Sequence, residues 1–146
     1  MTASRTKRSS PAGGFAFTVD RVLPAAPEVL FATLTEARRI AAWSRHAGTV
    51  PAVIGGTMEM FDGWVKGVVL AYAPGSHAAF TWLPNDWPAG SQASIVTYRL
   101  TRVPGGTRLS IHQSGFPDSV RSTSHRTGWA QFVLDPLAEY LSTHHS

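Results

Sequence analysis

The chain has 146 residues, of which 43% are hydrophobic and 15% charged; this is enough apolar surface for one folded core and excludes an intrinsically disordered chain. Because it contains no cysteine, disulfides, thiolate catalysis and Cys-ligated zinc or iron–sulfur sites are excluded, and we expect a cytoplasmic location. The net charge is +4, and no apolar run reaches the roughly 18 residues that a membrane-spanning helix needs.

The positive charge is concentrated at the start of the chain. Residues 1–14 contain Arg5, Lys7 and Arg8 but no acid, and they end in Pro-Ala-Gly-Gly. This composition predicts a disordered basic tail, with an Arg- and Ser-rich transit peptide as the alternative. The other bases are scattered along a nearly neutral chain and form no basic stripe, so we expect no nucleic-acid partner unless the tail itself binds one.

The first predicted elements are a strand and a pair of short helices. Hydrophobic alternation over Phe15–Leu23 predicts the strand. Pro27 suits the first turn of a helix, and apolar residues at helical spacing follow it. Thr35 is predicted to cap a second short helix that contains Ile40 and Trp43.

Strands separated by turn residues dominate the middle of the chain. Asp62-Gly63 is a strong hairpin signal, and Pro84–Gly90 is a predicted loop. The spacing of the turns indicates an antiparallel meander. Its predicted strands are Thr57–Phe61, Trp64–Ala73, Ala78–Leu83, Ala93–Val103 and Thr107–Gln113.

The C-terminal part of the chain is predicted to form a long amphipathic helix. Asp118 is a candidate N-cap, and apolar residues from Trp129 to Leu141 recur at helical spacing. Pro136 lacks an N–H and crowds the carbonyl of Phe132, so we expect a kink there. The folded part is predicted as one domain over residues 15–142, followed by a short tail over 143–146.

This order of elements predicts an α+β fold in which a curved antiparallel sheet wraps around the long C-terminal helix, with two short helices after the first strand. Gly55, Gly56 and Gly67 lie in or beside strands, where glycine allows a sheet to bend. Because a curved sheet and a long helix rarely close perfectly, we expect a cavity between them.

Short motifs occur along the chain in the order of one known family. They are Ala41-Ala42-Trp43, Gly55-Gly56-Thr57, Asp62-Gly63, Gly67–Pro74, Phe80-Thr81-Trp82, Ser94–Thr97, Gly105–Leu109, Ser114-Gly115-Phe116 and Gly128-Trp129. Over about residues 15 to 142 the set resembles the Aha1-like branch of the START-like (SRPBCC) superfamily, named after an activator of the Hsp90 ATPase. The resemblance implies a helix-grip fold with an elongated pocket between sheet and helix.

The chain contains no motif typical of a catalytic or nucleotide-binding site, so we name no catalytic residue and expect no cofactor. Apart from His144 and His145 its histidines are dispersed, and we expect no metal site. Aromatic and polar side chains predicted between sheet and helix are the candidate ligand-binding residues, although any one aromatic could be ordinary core. They are Phe61, Trp64, Phe80, Trp82, Tyr98, Gln113, Phe116, Trp129 and Phe132.

Binding of a small hydrophobic or amphipathic molecule in the cavity is the function that we expect first. The resemblance implies an alternative, a protein-interaction domain for an Hsp90-type ATPase, for which Trp87 and Pro88 would be exposed contact residues. A cofactor-free cyclase or hydrolase using the same cavity is the third hypothesis, although no set of residues argues for it. The identity of the ligand and the oligomeric state do not follow from the sequence.

Overall fold

A computed structural model describes residues 15–143 of the chain. The strands are β1 (Phe15–Leu23), β2 (Thr57–Met60), β3 (Val65–Ala73), β4 (His77–Pro84), β5 (Ser94–Val103) and β6 (Gly106–Phe116). The helices are α1 (Pro27–Thr35), α2 (Ala37–Ser44), α3 (Ser119–Trp129) and α4 (Asp135–Thr143), with a π-helical turn over Ala130–Leu134 between the last two. The predicted tail over 1–14 and residues 144–146 of the second tail lie outside the described residues.

The sheet has six antiparallel strands in the order β1-β6-β5-β4-β3-β2. Side chains from its inner face, such as Phe80 and Ile111, are fully buried together with Leu137 and Leu141 of the C-terminal helix. The predicted α+β helix-grip architecture is therefore confirmed. It arises because alternating apolar residues give every central strand one buried face, and the amphipathic helix covers that face.

The sheet bends at the pairing of β3 with β4. The register shifts between Val69 and Ala71, and Gly67 lies so close to β4 that a Cβ atom there would be 1.8 Å from the Thr81 carbonyl oxygen. Glycine at position 67 therefore permits the close approach of the two strands. Gly55-Gly56 lies outside the strands, but its backbone pairs with Val69 at 2.8 and 3.0 Å.

The two short helices form as expected except at their junction. Pro27 occupies the first turn of α1. The prediction that Thr35 caps α2 is wrong, because its buried hydroxyl donates to the Phe31 carbonyl at 2.8 Å inside α1. Glu36, with extended backbone, occupies the N-cap position without a side-chain cap. A threonine in the last turn of one helix satisfies its hydroxyl there and is no longer available to the next helix.

The C-terminal helix starts as predicted and changes its winding at its centre. The Asp118 side chain accepts a hydrogen bond from the Arg121 N–H at 2.8 Å, which is an N-cap. In the π turn, the Asp135 N–H bonds to the Ala130 carbonyl, five residues earlier. A kink at Pro136 stays a prediction, and what the structure shows is a wider helical turn just before the proline.

Two features are absent from the part of the chain that the structure describes. None of its helices combines the length and the apolarity that crossing a bilayer requires. Over the same residues, no three His, Asp or Glu side chains converge as a metal site would need.

Candidate functional site

A pocket of about 360 Å³ opens between the C-terminal helix and one end of the sheet, at β4. The helix and its π turn supply roughly half of the wall, and the opposite wall comes from the β2–β3 turn, β4, the following loop and the segment after α2. The lining residues are His46, Phe61, Trp64, Trp82, Asp86, Trp87, Arg121, Ser124, His125, Gly128, Trp129, Phe132 and Val133.

Aromatic rings form most of this wall. The rings of Trp82 on β4 and Trp129 on α3 have centroids 4.9 Å apart and join sheet to helix. Trp87, in the loop after β4, is only 8% exposed, and its ring lies 5.8 Å from that of Phe116 at the end of β6. The expectation that Trp87 is an exposed contact residue is therefore wrong; burial of so large an apolar ring folds the loop back onto the core. Pro88 is exposed.

His125 lies at the centre of the aromatic wall. Its ring is stacked on Trp64 with centroids 6.0 Å apart, and its Nε2 accepts a hydrogen bond from the Trp82 indole N–H at 3.1 Å. Burial lowers the pKa of His125, while the backbone of Arg121 and the charge of Asp86 act in the opposite direction. Because a protonated Nε2 could not accept the indole hydrogen bond, this geometry requires a neutral imidazole.

A buried hydrogen-bond chain supports the wall from behind. The Trp129 indole N–H donates to Gln113 Oε1 at 2.7 Å, and Gln113 Nε2 donates to the Ser94 hydroxyl at 3.0 Å. The Ser94 hydroxyl donates to the Trp82 carbonyl at 2.6 Å. Gln113 therefore fixes the orientation of Trp129, and its amide already has protein partners on both sides.

A histidine–aspartate contact and a salt bridge lie at the rim of the pocket. His46 Nδ1 is 2.6 Å from Asp62 Oδ2, and the Arg121 guanidinium is 2.6 Å from Asp118 Oδ2. A hydrogen bond from the Ala47 N–H, followed by the contact with His46, lowers the pKa of Asp62. The Arg121 backbone N–H and then its guanidinium lower the pKa of Asp118. The pocket thus has apolar walls and a polar rim that carries both signs of charge.

Comparison with known proteins identifies the family. The family model for activator of Hsp90 ATPase homolog 1-like protein matches residues 24–142. The chain belongs to this family. A curated relative of the Aha1-like chain, the activator of 90 kDa heat shock protein ATPase homolog 1 of Mus musculus, is 27% identical over 113 residues, which are 77% of this chain and 33% of the relative.

Solved structures share the fold. A protein of Mesorhizobium loti is 28% identical with a TM-score of 0.78, and the match covers 90% of this chain and all of the other. An HSP90 activator of Plasmodium falciparum is 24% identical with a TM-score of 0.79 over 88% of this chain and 97% of that one. The Aha1-like chain itself spans a third or less of the length of the curated relatives that it matches.

The structure brings five of the nine sequence-predicted site residues of this Aha1-like domain into the pocket wall, namely Phe61, Trp64, Trp82, Trp129 and Phe132. The other four, Phe80, Tyr98, Gln113 and Phe116, are fully buried in the core behind the wall. Burial raises the pKa of the Tyr98 hydroxyl well above its usual range. Alternation along a strand shows which residues face the core. It does not show which of these residues line the pocket and which are buried beneath the helix.

Sequence reasoning missed His46, Asp86, Arg121, Ser124 and His125 as lining residues. For His125 and Arg121 a signal existed, since they lie one and two helical turns, respectively, before Trp129 and therefore share its face. His46 and Asp86 lie outside the helices and strands, where no periodicity indicates which way a side chain faces.

Proposed function

We propose that this domain binds a small hydrophobic or amphipathic molecule in the pocket. The observation that carries the proposal is the concentration of tryptophan, since four of the five in the chain line this one pocket. Trp64 is half-buried beside the opening, and Trp82, Trp87 and Trp129, which are 2, 8 and 3% exposed, form a closely packed wall behind it. An apolar concave site with a few polar groups is the usual form of a small-molecule site.

The size and polarity of the pocket limit the ligand. Its volume of about 360 Å³ is near the small end of ligand sites, which run from roughly 300 to 1,000 Å³. The tryptophan walls favour a flat apolar body, and the polar rim at His46 and Arg121 favours a polar end left at the opening. A ligand of one or two fused rings with a single polar substituent fits both features.

Nuclear magnetic resonance of the indole N–H groups tests the proposal directly. We expect 2-methoxynaphthalene or lauric acid to shift the signals of the four pocket tryptophans. Trp43 is an internal control, because its indole N–H donates to the Thr33 carbonyl at 2.8 Å away from the pocket. If neither probe moves any of the four signals, or if Trp43 responds equally, the pocket is not a ligand site.

A pair of exposed residues on the same helix provides matched variants. Phe132 at the pocket rim is 56% exposed and Val120 outside the pocket is 74% exposed, so alanine at either position leaves the core intact. We expect Phe132→Ala to weaken probe binding and Val120→Ala to leave it unchanged. Equal behaviour of the two variants would argue against binding in this pocket.

Family membership favours a second candidate function, contact with an Hsp90-type ATPase. The mouse relative is an activator of the 90 kDa heat shock protein ATPase, and this chain matches 33% of its length. The test adds the purified chain to an Hsp90 and measures ATP hydrolysis. A stimulated rate supports the contact, and an unchanged rate together with no detectable complex rejects it.

A further inference from the structure

We propose that His46, oriented by Asp62, is the polar anchor of the pocket and selects ligands that present a hydroxyl proton, such as phenols and alicyclic alcohols. This inference rests on the proposed function, because it names the chemical class that the same pocket prefers. It goes further in assigning one acceptor atom, His46 Nε2, to the recognition of the ligand.

Asp62 is held in place by two hydrogen bonds to the backbone of one residue, Ala47. Its Oδ1 accepts the Ala47 N–H at 2.8 Å, and its own N–H donates to the Ala47 carbonyl at 2.9 Å. The remaining oxygen, Oδ2, contacts His46 Nδ1 at 2.6 Å. Both carboxylate oxygens are therefore engaged, and the second one aims at the histidine ring.

This pairing decides which nitrogen of His46 carries the proton. The Ala47 N–H and the contact with His46 lower the pKa of Asp62, so the carboxylate is ionised and can only accept. Nδ1 must then be the donor, and in the neutral ring Nε2 keeps a lone pair. Among residues 15–143, the structure gives Nε2 no hydrogen-bond partner, and the ring lines the pocket.

The backbone beside the pair is strained and is held by local contacts. Phe61 and Asp62 have φ angles of 55° and 60°, in the left-handed region that side-chain-bearing residues rarely adopt, and Gly63 follows at 85°. The His46 N–H donates to the Ser44 hydroxyl at 3.1 Å, and the Phe61 ring lies 6.0 Å from the imidazole. Strained residues that the surroundings hold in place are concentrated at binding and catalytic sites.

The other polar groups of the pocket are less suited to accept a hydroxyl proton. The Arg121 guanidinium can only donate and is paired with Asp118, and His125 Nε2 already accepts from Trp82. Asp86 and Ser124 also line the pocket, are exposed as His46 is, and can accept, but over residues 15–143 no hydrogen bond holds either side chain in place as Asp62 holds His46. Asp86→Ala, which removes this acceptor, is therefore the control for the assignment to His46.

Isothermal titration calorimetry with two probes of the same shape tests the proposal. 2-Naphthol donates a hydroxyl proton and 2-methoxynaphthalene does not, and we run both at pH 8. We expect the intact protein to prefer 2-naphthol by about tenfold, the worth of one well-made hydrogen bond. His46→Phe, which keeps a ring in the wall, should reduce the preference to less than about twofold while 2-methoxynaphthalene still binds.

Asp62→Asn provides a second and sharper variant. The Ala47 N–H needs an acceptor, so the asparagine oxygen stays there and its NH₂ group turns toward His46 Nδ1. The ring must then carry its proton on Nε2, which becomes a donor. We expect this variant to lose the preference for 2-naphthol although it retains His46.

The outcomes separate the two proposals. If neither probe binds to the intact protein, the ligand-binding function itself is overturned. Equal affinities in the intact protein leave that function standing and overturn the hydroxyl selectivity. If Asp86→Ala abolishes the preference and His46→Phe does not, the anchor is Asp86 and the assignment to His46 is wrong.

Discussion

Gly128 offers a way to separate ligand binding from stability, because it is a helical glycine that faces the pocket. A Cβ atom at this position would lie 3.8 Å from Phe132 Cδ2, an ordinary contact, and would meet nothing else within 4 Å outside its own helix and chain neighbours. Glycine in a helix interior is about 1 kcal/mol less favourable than alanine. We therefore expect Gly128→Ala to stabilise the fold by about this amount, which corresponds to a melting temperature about 2–4 °C higher for a domain of this size.

Gly128→Leu keeps most of the gain in helix propensity and places a branched side chain beside Phe132. Because the pocket holds about 360 Å³, this side chain takes space that a bicyclic ring needs. We expect the affinity for 2-methoxynaphthalene to fall by about tenfold, or 1.4 kcal/mol, with no loss of melting temperature.

The assays are thermal unfolding and calorimetric titration of the same preparations. Thr127→Leu is the matched control, because Thr127 is the exposed neighbour on the helix and does not line the pocket. A lower melting temperature for Gly128→Ala would refute the inference that position 128 has free space. Undiminished probe affinity in Gly128→Leu would refute the placement of the ligand against this face of the helix.

Three further predictions concern the groups that support the pocket. Burial lowers the pKa of His125 in the folded state. The free energy of unfolding should therefore be constant above about pH 6.5 and should decrease as the pH falls from there toward the folded-state pKa. Urea titrations at a series of pH values should show that this decrease is smaller in His125→Gln. Gln113→Leu leaves the buried Trp129 indole N–H without its acceptor, and it should lower the free energy of unfolding in urea by about 1–3 kcal/mol. The indole N–H signal of Trp129 should also move upfield. An unchanged unfolding midpoint would contradict the hydrogen-bond chain. Asp118→Ala removes the helix N-cap and should cost about 1 kcal/mol, whereas Asp118→Ser should retain most of the stability.

The parts of the fold that could be predicted are those with a repeating pattern. Alternation along β5 and β6 marks one buried face, and the helical spacing of Trp129, Leu137 and Leu141 marks another. Thr35 shows the limit of such patterns. A threonine between two helices can either bond back into the first helix or cap the second, and only the packed structure shows that its hydroxyl bonds to the Phe31 carbonyl of the first. Trp87 shows the same for loops, since a local sequence does not say whether a loop folds back onto the core.

Polar rim residues were the hardest to predict because their geometry comes from contacts distant in sequence. His46 and Asp62 are sixteen positions apart, and they meet only when the strained turn after β2 places the carboxylate beside the segment that follows α2. Asp62 was expected as a turn residue, and it is one. Its second role, the orientation of an imidazole, follows from the left-handed backbone that the turn imposes, which no spacing rule contains.

The position of Phe132 shows how one irregularity in the helix shapes the pocket. By regular helical spacing Phe132 belongs to the apolar stripe that starts at Trp129, yet it is 56% exposed at the rim. The π turn over Ala130–Leu134 adds a residue to one turn, so the side chains after it are rotated relative to those before it. Val133, Leu134 and Leu137 consequently enter the core, and Phe132 is left beside Gly128 at the opening. Pro136, which cannot donate to the Phe132 carbonyl, removes the bond that would favour regular α-helical winding here, so a single proline helps to keep an aromatic ring at the entrance of the pocket.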